Sequence, residues 1–416
     1  MALRPSRRRV QVPPSPTFPG IGGVPFPSAP QPSWRKRAPY VALAAVNRLV
    51  PKSSSKVVLH STVDIEDGLM AVAAELAARG RRATVLLEDP RRGPLLRSLS
   101  RVPVRTVPKW SVRGLLHYLT AGHVMTTSNI HGNQRPPATQ RVVALWHGEP
   151  PTKASGRFEG NGPLRATYAP VCSTVGRAYR SAAFDIPPMQ VPIVGAPRND
   201  RMLQADSRAV RQTVLGPDAD RTTFLWMPSY RVTDFGGKLR ADAVGARAEG
   251  AFPPQELRRI DDWLVEHGAR TVLKVHHRDR ARFDGDYRAI RVLRQGELEQ
   301  RGLTIYPVLS AFDALITDMS SVWVDYLLLD KPILFAFPDI EDYRDGRGLN
   351  LEPFQHWVPG PFARTTDELL QAMADVVDGH DRMAEERRRA RLRFHRFPDS
   401  RSAARLLDGL GFPPAS

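Results

Sequence analysis

Cysteine is almost missing. Cys172 is the only one among 416 residues, so no intramolecular disulfide can form and no cysteine-based zinc site is available. That usage fits a reducing, cytoplasmic setting. Long apolar runs are missing too: no stretch approaches the ~20 residues a membrane-spanning helix needs. The N-terminal arginines lead into prolines rather than into an apolar segment of signal-peptide length, which argues against secretion. Acidic residues are in deficit, 43 against 60 lysines and arginines, for a formal charge of +17. Such an excess points to an anionic partner: nucleic acid, an anionic membrane surface or a phosphate-rich substrate. Neither zinc-finger spacing nor the aromatic strand motif of single-strand binders occurs, so no nucleic-acid partner is expected. A repeat of fixed solenoid period is also lacking.

At 42% hydrophobic the chain can fill two ordinary cores, and its length exceeds one simple domain. Residues 1–38, rich in Pro, Arg, Ser and Gly, cannot build a core and are expected to form a disordered basic tail. Tyr40–Val50 (YVALAAVNRLV) follows Arg35-Lys36-Arg37 and has the composition of a short helix. Residues 39–55 therefore read either as a basic helix lying on a membrane surface or as a helix packed on the first domain. From Lys56 onward short apolar runs alternate with helical patterns. Strands are expected at 56–60, 83–87, 102–107, 123–127, 142–146, 171–174 and 191–194, with helices over 68–79, 115–120 and 174–183. Residues 201–220 read as a connector broken at Gly216-Pro217-Asp218. A second series follows, with strands at 223–227, 271–275 and 303–306. A helix runs through Leu257, Ile260, Leu264 and His267 and ends at Gly268. Helices over 367–377, 381–393 and 400–410 close the chain. Strands alternating with helices imply α/β folding on parallel sheets.

The stretch that organises the second series is 311–348, AFDALITDMSSVWVDYLLLDKPILFAFPDIEDYRDGRG. It reads as strand, tight turn, helix, strand and loop, with Asp330-Lys331-Pro332 stopping the helix. Ser320 and Ser321 then stand at a helix N-terminus beyond the carboxyl end of a parallel strand. That place suits an anion such as phosphate, and it equally suits serines that only cap the helix.

Four further polar clusters fall at strand ends. Leu145-Trp146-His147-Gly148-Glu149-Pro150, with Lys153 nearby, offers a histidine able to act as general base at neutral pH; a histidine held by a backbone carbonyl is the plainer reading. In Lys274-Val275-His276-His277-Arg278, His276 with Arg278 or Arg280 can neutralise a phosphate. The paired histidines raise metal binding, but no other His, Cys or carboxylate stands at a ligand spacing. Gly195-Ala196-Pro197-Arg198-Asn199-Asp200 and Trp226-Met227-Pro228-Ser229-Tyr230-Arg231 each place an arginine just past a strand. There it can grip phosphate bidentately or make a surface salt bridge. The loop 339–348 adds Tyr343, Arg344, Asp345 and Arg347. Two Rossmann-like halves with such clusters suggest two domains of glycosyltransferase-B-like architecture, with the active site in the interdomain cleft.

The stretches LWHGEPPTK, VGAPRND, WMPSYR, LKVHHRD, ITDMSSVWVDYLLLDKPILF, DIEDYRDGRG and WVPGPFARTTDEL, in that order over about 56–410, resemble the CDP-glycerol glycerophosphotransferase family of teichoic acid primases and polymerases. The resemblance implies an acceptor domain at 56–215 and a CDP-donor domain at 216–416. It implies CDP-glycerol or CDP-ribitol as donor, a lipid-linked or glycan acceptor, and work on the inner face of the membrane. A polyol phosphate would pass to a hydroxyl with release of CMP. His147 then matches the general base, and His276 a second essential histidine on the donor pyrophosphate. Ser320, Ser321 and Arg347 match donor-phosphate positions. Arg198, Arg231, Asp318 and Asp325 match recurring positions without separable roles. No cofactor is implied, and a need for a divalent metal is left open. Two residues depart from the family pattern: His277 stands where proline usually follows the second histidine, and Glu149 replaces a small or hydroxyl residue. A glycosyltransferase using a nucleotide sugar on the same fold is the alternative enzyme. A basic binder of polyanions is the non-enzymatic one.

Overall fold

The computed structural model describes residues 34–148, 163–229, 232–235, 238–241, 252–274, 285–294, 296–346 and 348–414. The Pro-rich tract 1–33 and the positions Glu149, Lys153, Tyr230, Arg231, His276, His277, Arg278, Arg280 and Arg347 lie outside them.

Two parallel sheets carry the chain. The first uses β1 (Ser53–His60), β2 (Thr84–Leu87), β3 (Arg105–Pro108), β4 (Ala121–Thr126) and β5 (Arg141–Ala144), in the order β3-β2-β1-β4-β5. After β6 (Thr223–Met227) comes an antiparallel hairpin of β7 (Val232–Phe235) and β8 (Lys238–Ala241). The second sheet adds β9 (Arg270–Leu273), β10 (Ile290–Val292), β11 (Ala314–Thr317), β12 (Ile333–Ala336) and β13 (Phe362–Ala363). Its order is β10-β9-β6-β11-β12-β13. The central strands are apolar at nearly every position because helices cover both faces. Trp323, Phe335, Phe337, Phe354 and Phe394 pack edge to face in the second core. Each buried ring of that size contributes roughly 1.5–3 kcal/mol over an exposed one.

Several expectations are corrected. Residues 303–306 are not a strand: Thr304 precedes a helix over Ile305–Leu309. Pro307 sits in its first turn, where a missing N–H costs nothing. The strand of that region is β10. The runs 171–174 and 191–194 pair only through the single bridge Val171–Ile193, since Pro192 has no N–H to extend a ladder. The loop 339–348 is largely a helix, Ile340–Gly346, with Glu341 and Asp342 in the first turn where a helix favours negative charge. The connector holds two helices, Pro197–Leu203 and Ser207–Leu215. The N-terminal helix starts at Trp34 rather than Tyr40, so five residues of the expected tail, 34–38, are helical.

Packing also crosses the chain order. The last helix, Ser402–Gly409, follows the second sheet but sends Ala403, Leu406 and Leu407 into the first sheet's core. Asp200 fixes its start by accepting from the Ser402 and Ala403 amides at 2.9 and 2.7 Å. Conversely, Val210, Val214 and Leu215 belong to the second core. The Trp34–Leu49 helix packs on the first sheet: Ala44 and Asn47 are buried, and Asn47 Nδ2 donates to Gln140 Oε1 at 2.8 Å. Among the described residues no helix is long and apolar enough to cross a membrane.

Candidate functional site

The His147 loop is bent by its neighbours. β5 ends at Ala144, and Trp146 takes φ +61°, a conformation that bulky residues rarely adopt. Packing holds it there. The Trp146 ring meets Phe184 edge-on at 4.5 Å, and the Arg180 guanidinium lies 5.5 Å from its centroid. Arg180 Nη2 donates to the Gly148 carbonyl at 3.2 Å. His147 is exposed and stacks on Trp146 at 4.9 Å between centroids. The sequence reading missed Arg180, which lies on the helix Thr174–Phe184 and is 3% exposed. A basic residue on an otherwise core-facing helix stripe was the signal available.

On the second sheet, the turn after β11 is tied by Asp318. Its buried carboxylate accepts from the Ser229 amide at 2.9 Å and from the Ser320 amide at 3.1 Å. Asp318 thus joins the loop after β6 to the serine turn. Ser321 occupies the position before the helix Val322–Tyr326, yet its hydroxyl makes no capping bond. The two loops meet. A methyl group built on Gly148 would come within 2.5 Å of Ser321 Oγ, so any larger residue here would push the Ser321 hydroxyl aside. The residue beside His147 therefore lies against the serine turn of the other sheet.

Arg198 and Asp325 are brought together, but away from solvent. Arg198 Nε and Nη2 each donate to Asp325 at 3.0 Å, and the two residues are 2% and 0% exposed. Tyr306 donates its hydroxyl to Asp325 at 2.9 Å. Asp325 lies one turn beyond Ser321, so the pair fastens that helix to Pro197–Leu203. Nearby, Asp67 accepts from Arg201 Nε at 2.8 Å and from the Tyr306 amide at 3.2 Å, linking the first helix after β1 to the second sheet. Glu66, beside it, accepts from the Leu69 amide at 2.8 Å, and burial pushes its carboxyl up to about 7. Lys274, at the end of β9, is also desolvated, which lowers its ammonium pKa. Among the described residues no group of three or more His, Cys, Asp or Glu is placed to hold a metal ion.

The profile of the family described as CDP-glycerol:poly(glycerophosphate) glycerophosphotransferase matches residues 42–410. The chain belongs to this family. Among this glycerophosphotransferase-family chain's relatives is the teichoic acid ribitol-phosphate polymerase TarK of Staphylococcus aureus, 24% identical over 288 residues. That match covers 65% of this chain and 52% of TarK. The teichoic acid ribitol-phosphate primase of Bacillus spizizenii is 26% identical over 223 residues, 51% of each chain. The chain thus spans about half the length of these relatives. Among solved structures, the wall teichoic acid polymerase TagF superposes with a TM-score of 0.68 at 17% identity. It covers 91% of this chain and 97% of that one, which establishes a shared fold.

Proposed function

We propose that this glycerophosphotransferase-family chain transfers a polyol phosphate from CDP-glycerol or CDP-ribitol to an acceptor hydroxyl, releasing CMP, in the synthesis of a teichoic-acid-like polymer. The observation that supports this reading is the close approach of Gly148, the residue after the exposed His147, to Ser321 in the serine turn. The two sheets are read as glycosyltransferase-B-like lobes, about 56–215 and 216–416, with the last helix crossing back to the first. The site lies in the cleft between them.

In this reading the acceptor oxygen attacks the β-phosphorus of the donor. His147 takes the acceptor proton, and a new P–O bond forms. The bond from the β-phosphorus to the bridging oxygen breaks, and its electrons leave with CMP. Ser320, Ser321, His276 and Arg347 hold the donor phosphates and the growing charge on CMP. Asp318 orders the serine turn, Arg198 and Asp325 position the helix behind it, and Arg231 is taken as a further substrate-binding residue.

A lipid-linked or glycan acceptor fits a second feature. The Trp34–Leu49 helix exposes Val41 and Leu49, and its Tyr40 packs 6.0 Å from Trp110. The adjacent helix Val112–Thr120 exposes Val112 and Leu116, and Arg48, Arg113 and Lys56 are exposed around them. Apolar tips with cations nearby suit the surface of an anionic bilayer, and this supports a peripheral position at the inner face of the membrane.

The test is product analysis with CDP-glycerol and CDP-ribitol and a lipid-linked acceptor. CMP with a new phosphodiester is expected. A nucleoside diphosphate with a glycoside would mark a sugar transferase instead, and no turnover of either donor would sink the reading.

A further inference from the structure

The carboxyl edge of the first sheet holds a second polar cluster, away from Ser321. His60 ends β1, Thr126 ends β4, Glu88 follows β2 and Lys109 follows β3. Two of them converge on one carboxylate oxygen: Glu88 Oε1 accepts from Lys109 Nζ at 2.6 Å and from His60 Nε2 at 3.0 Å. His60 Nδ1 lies 3.3 Å from Thr126 Oγ1. The loop is held in place, because Asp64 accepts the Glu88 and Asp89 amides at 2.7 and 3.0 Å. In the order β3-β2-β1-β4-β5 the direction of winding reverses between β1 and β4, where open α/β sheets bind ligands.

Hydrogen-bonding capacity is left over here. His131 is 3% exposed, and neither ring nitrogen has a partner. Lys109, His60 and Glu88 are close enough to act on its charge, and burial keeps both imidazoles neutral near pH 7. Lys109 uses one of its three donors on Glu88, whose side chain keeps 30% of its surface open. Buried polar groups of this kind demand partners. Trp110, 54% exposed, stands at the rim, its ring 5.4 Å from Lys109 Nζ and edge-on to His131 at 4.9 Å.

We infer that this cluster is a binding subsite for an uncharged polyhydroxylated segment of the acceptor, a sugar or a polyol. A hydroxyl both donates and accepts, which matches free donors on Lys109 beside free acceptors on Glu88 and His131. An anion would face the Glu88 carboxylate, and a cation would face Lys109. The half-open indole of Trp110 supplies an apolar face for C–H groups. Register places the subsite on the rim that carries His147: His60 pairs with Thr126, Thr126 with Ala144, and His147 follows three residues later. Two strand spacings span roughly 10 Å, which leaves room for one unit of an acceptor chain between the two places.

This inference deepens the proposed function and rests on it for the acceptor's role, so the experiment has an arm that needs no turnover. Saturation-transfer NMR on the full chain uses maltose as the sugar probe and ribitol as the polyol probe, with glycerol 3-phosphate as the anionic control. Binding of maltose or ribitol is expected, weakened at least tenfold in Trp110→Ala and Glu88→Ala, with CDP binding unchanged. Whichever probe binds more tightly names the source. In turnover, Trp110→Ala should raise the acceptor KM about tenfold while kcat and the donor KM hold. Should Glu88→Ala fail to fold, Trp110→Ala decides alone, because its side chain lies at the surface. The inference falls if the wild type binds neither neutral probe. It falls equally if both variants bind as the wild type does, if glycerol 3-phosphate is preferred, or if Trp110→Ala loses only anionic vesicle binding. Probe binding that depends on Trp110, in a protein that turns over neither CDP donor, would keep the subsite and remove the proposed function.

Discussion

His60 and His147 both stand at carboxyl ends of strands in one sheet, and their surroundings make them different groups. His60 is fully buried, bonded to Glu88, and pushed down to about 4 by burial. His147 is exposed, stacked on a strained tryptophan, and adjacent to the glycine that touches Ser321. An imidazole that desolvation keeps neutral suits hydrogen bonding, whereas one open to solvent can exchange its proton during turnover. Being on a strand end is therefore not what makes a base. In the proposed function, what singles out His147 is the approach of the next residue, Gly148, to Ser321 across the two sheets.

The sharpest way to break this comparison is to remove each imidazole. His147→Ala should lower kcat roughly 10²–10⁴-fold with donor affinity by calorimetry nearly unchanged. A rate within twofold of wild type would end the assignment. His60→Gln should leave kcat within a few-fold and act on stability instead. Next in size is Arg198→Ala, which strands the buried Asp325 carboxylate. It should cost about 3–5 kcal/mol in urea unfolding. Loss of less than 1 kcal/mol would show that the pair does not anchor the serine helix. Gly148→Ala brings a methyl group onto Ser321 and should cut turnover on the order of 10²-fold with the melting temperature held, since small displacements of reacting groups cost that much. If activity were unaffected, the two loops would not work in contact.

The smallest effects are in pH. His60 and His131 have folded pKa values lowered to about 4 and about 3, so between pH 6.5 and those values the unfolded chain binds more protons. Stability should therefore fall as pH drops below 6.5, and His131→Phe should flatten that slope. Glu66 runs the other way. Its folded carboxyl is raised to about 7, so its share of stability is intact below pH 4.5 and is lost as pH rises through 7. Glu66→Gln should raise stability at pH 8 and leave it unchanged at pH 4. Equal melting temperatures at pH 8 would place Glu66 in ordinary solvent.

The strands were the legible part. Val85–Leu87, Val124–Met125 and Leu315–Ile316 are too short and too uniformly apolar for amphipathic helices, so burial on both faces was the consistent reading. The serine turn was legible because an apolar strand, four turn residues and an apolar helix follow one another without a gap. Leu303-Thr304-Ile305-Tyr306 misled because a short run with two β-branched residues and a tyrosine also fits the start of a helix, and Pro307 decides between them only once the tertiary bonds to Asp67 are formed. Arg198 and Asp325 stand 127 residues apart, and no local pattern announces that each is the other's partner. Lys109, Glu88 and His60 are likewise single letters at the ends of three different strands.

Local periodicity, turn chemistry and charge thus determined two parallel α/β sheets, the serine turn, and a histidine followed by glycine at a strand end. Those are properties of neighbours in the chain. Tertiary structure decided what each polar residue faces: Gly148 against Ser321, Arg198 on Asp325, the last helix on the first core, and Glu88 shared by a lysine and a histidine. The reason is physical. An ionisable side chain takes its protonation and its partners from the groups packed around it, and those arrive from distant parts of the chain.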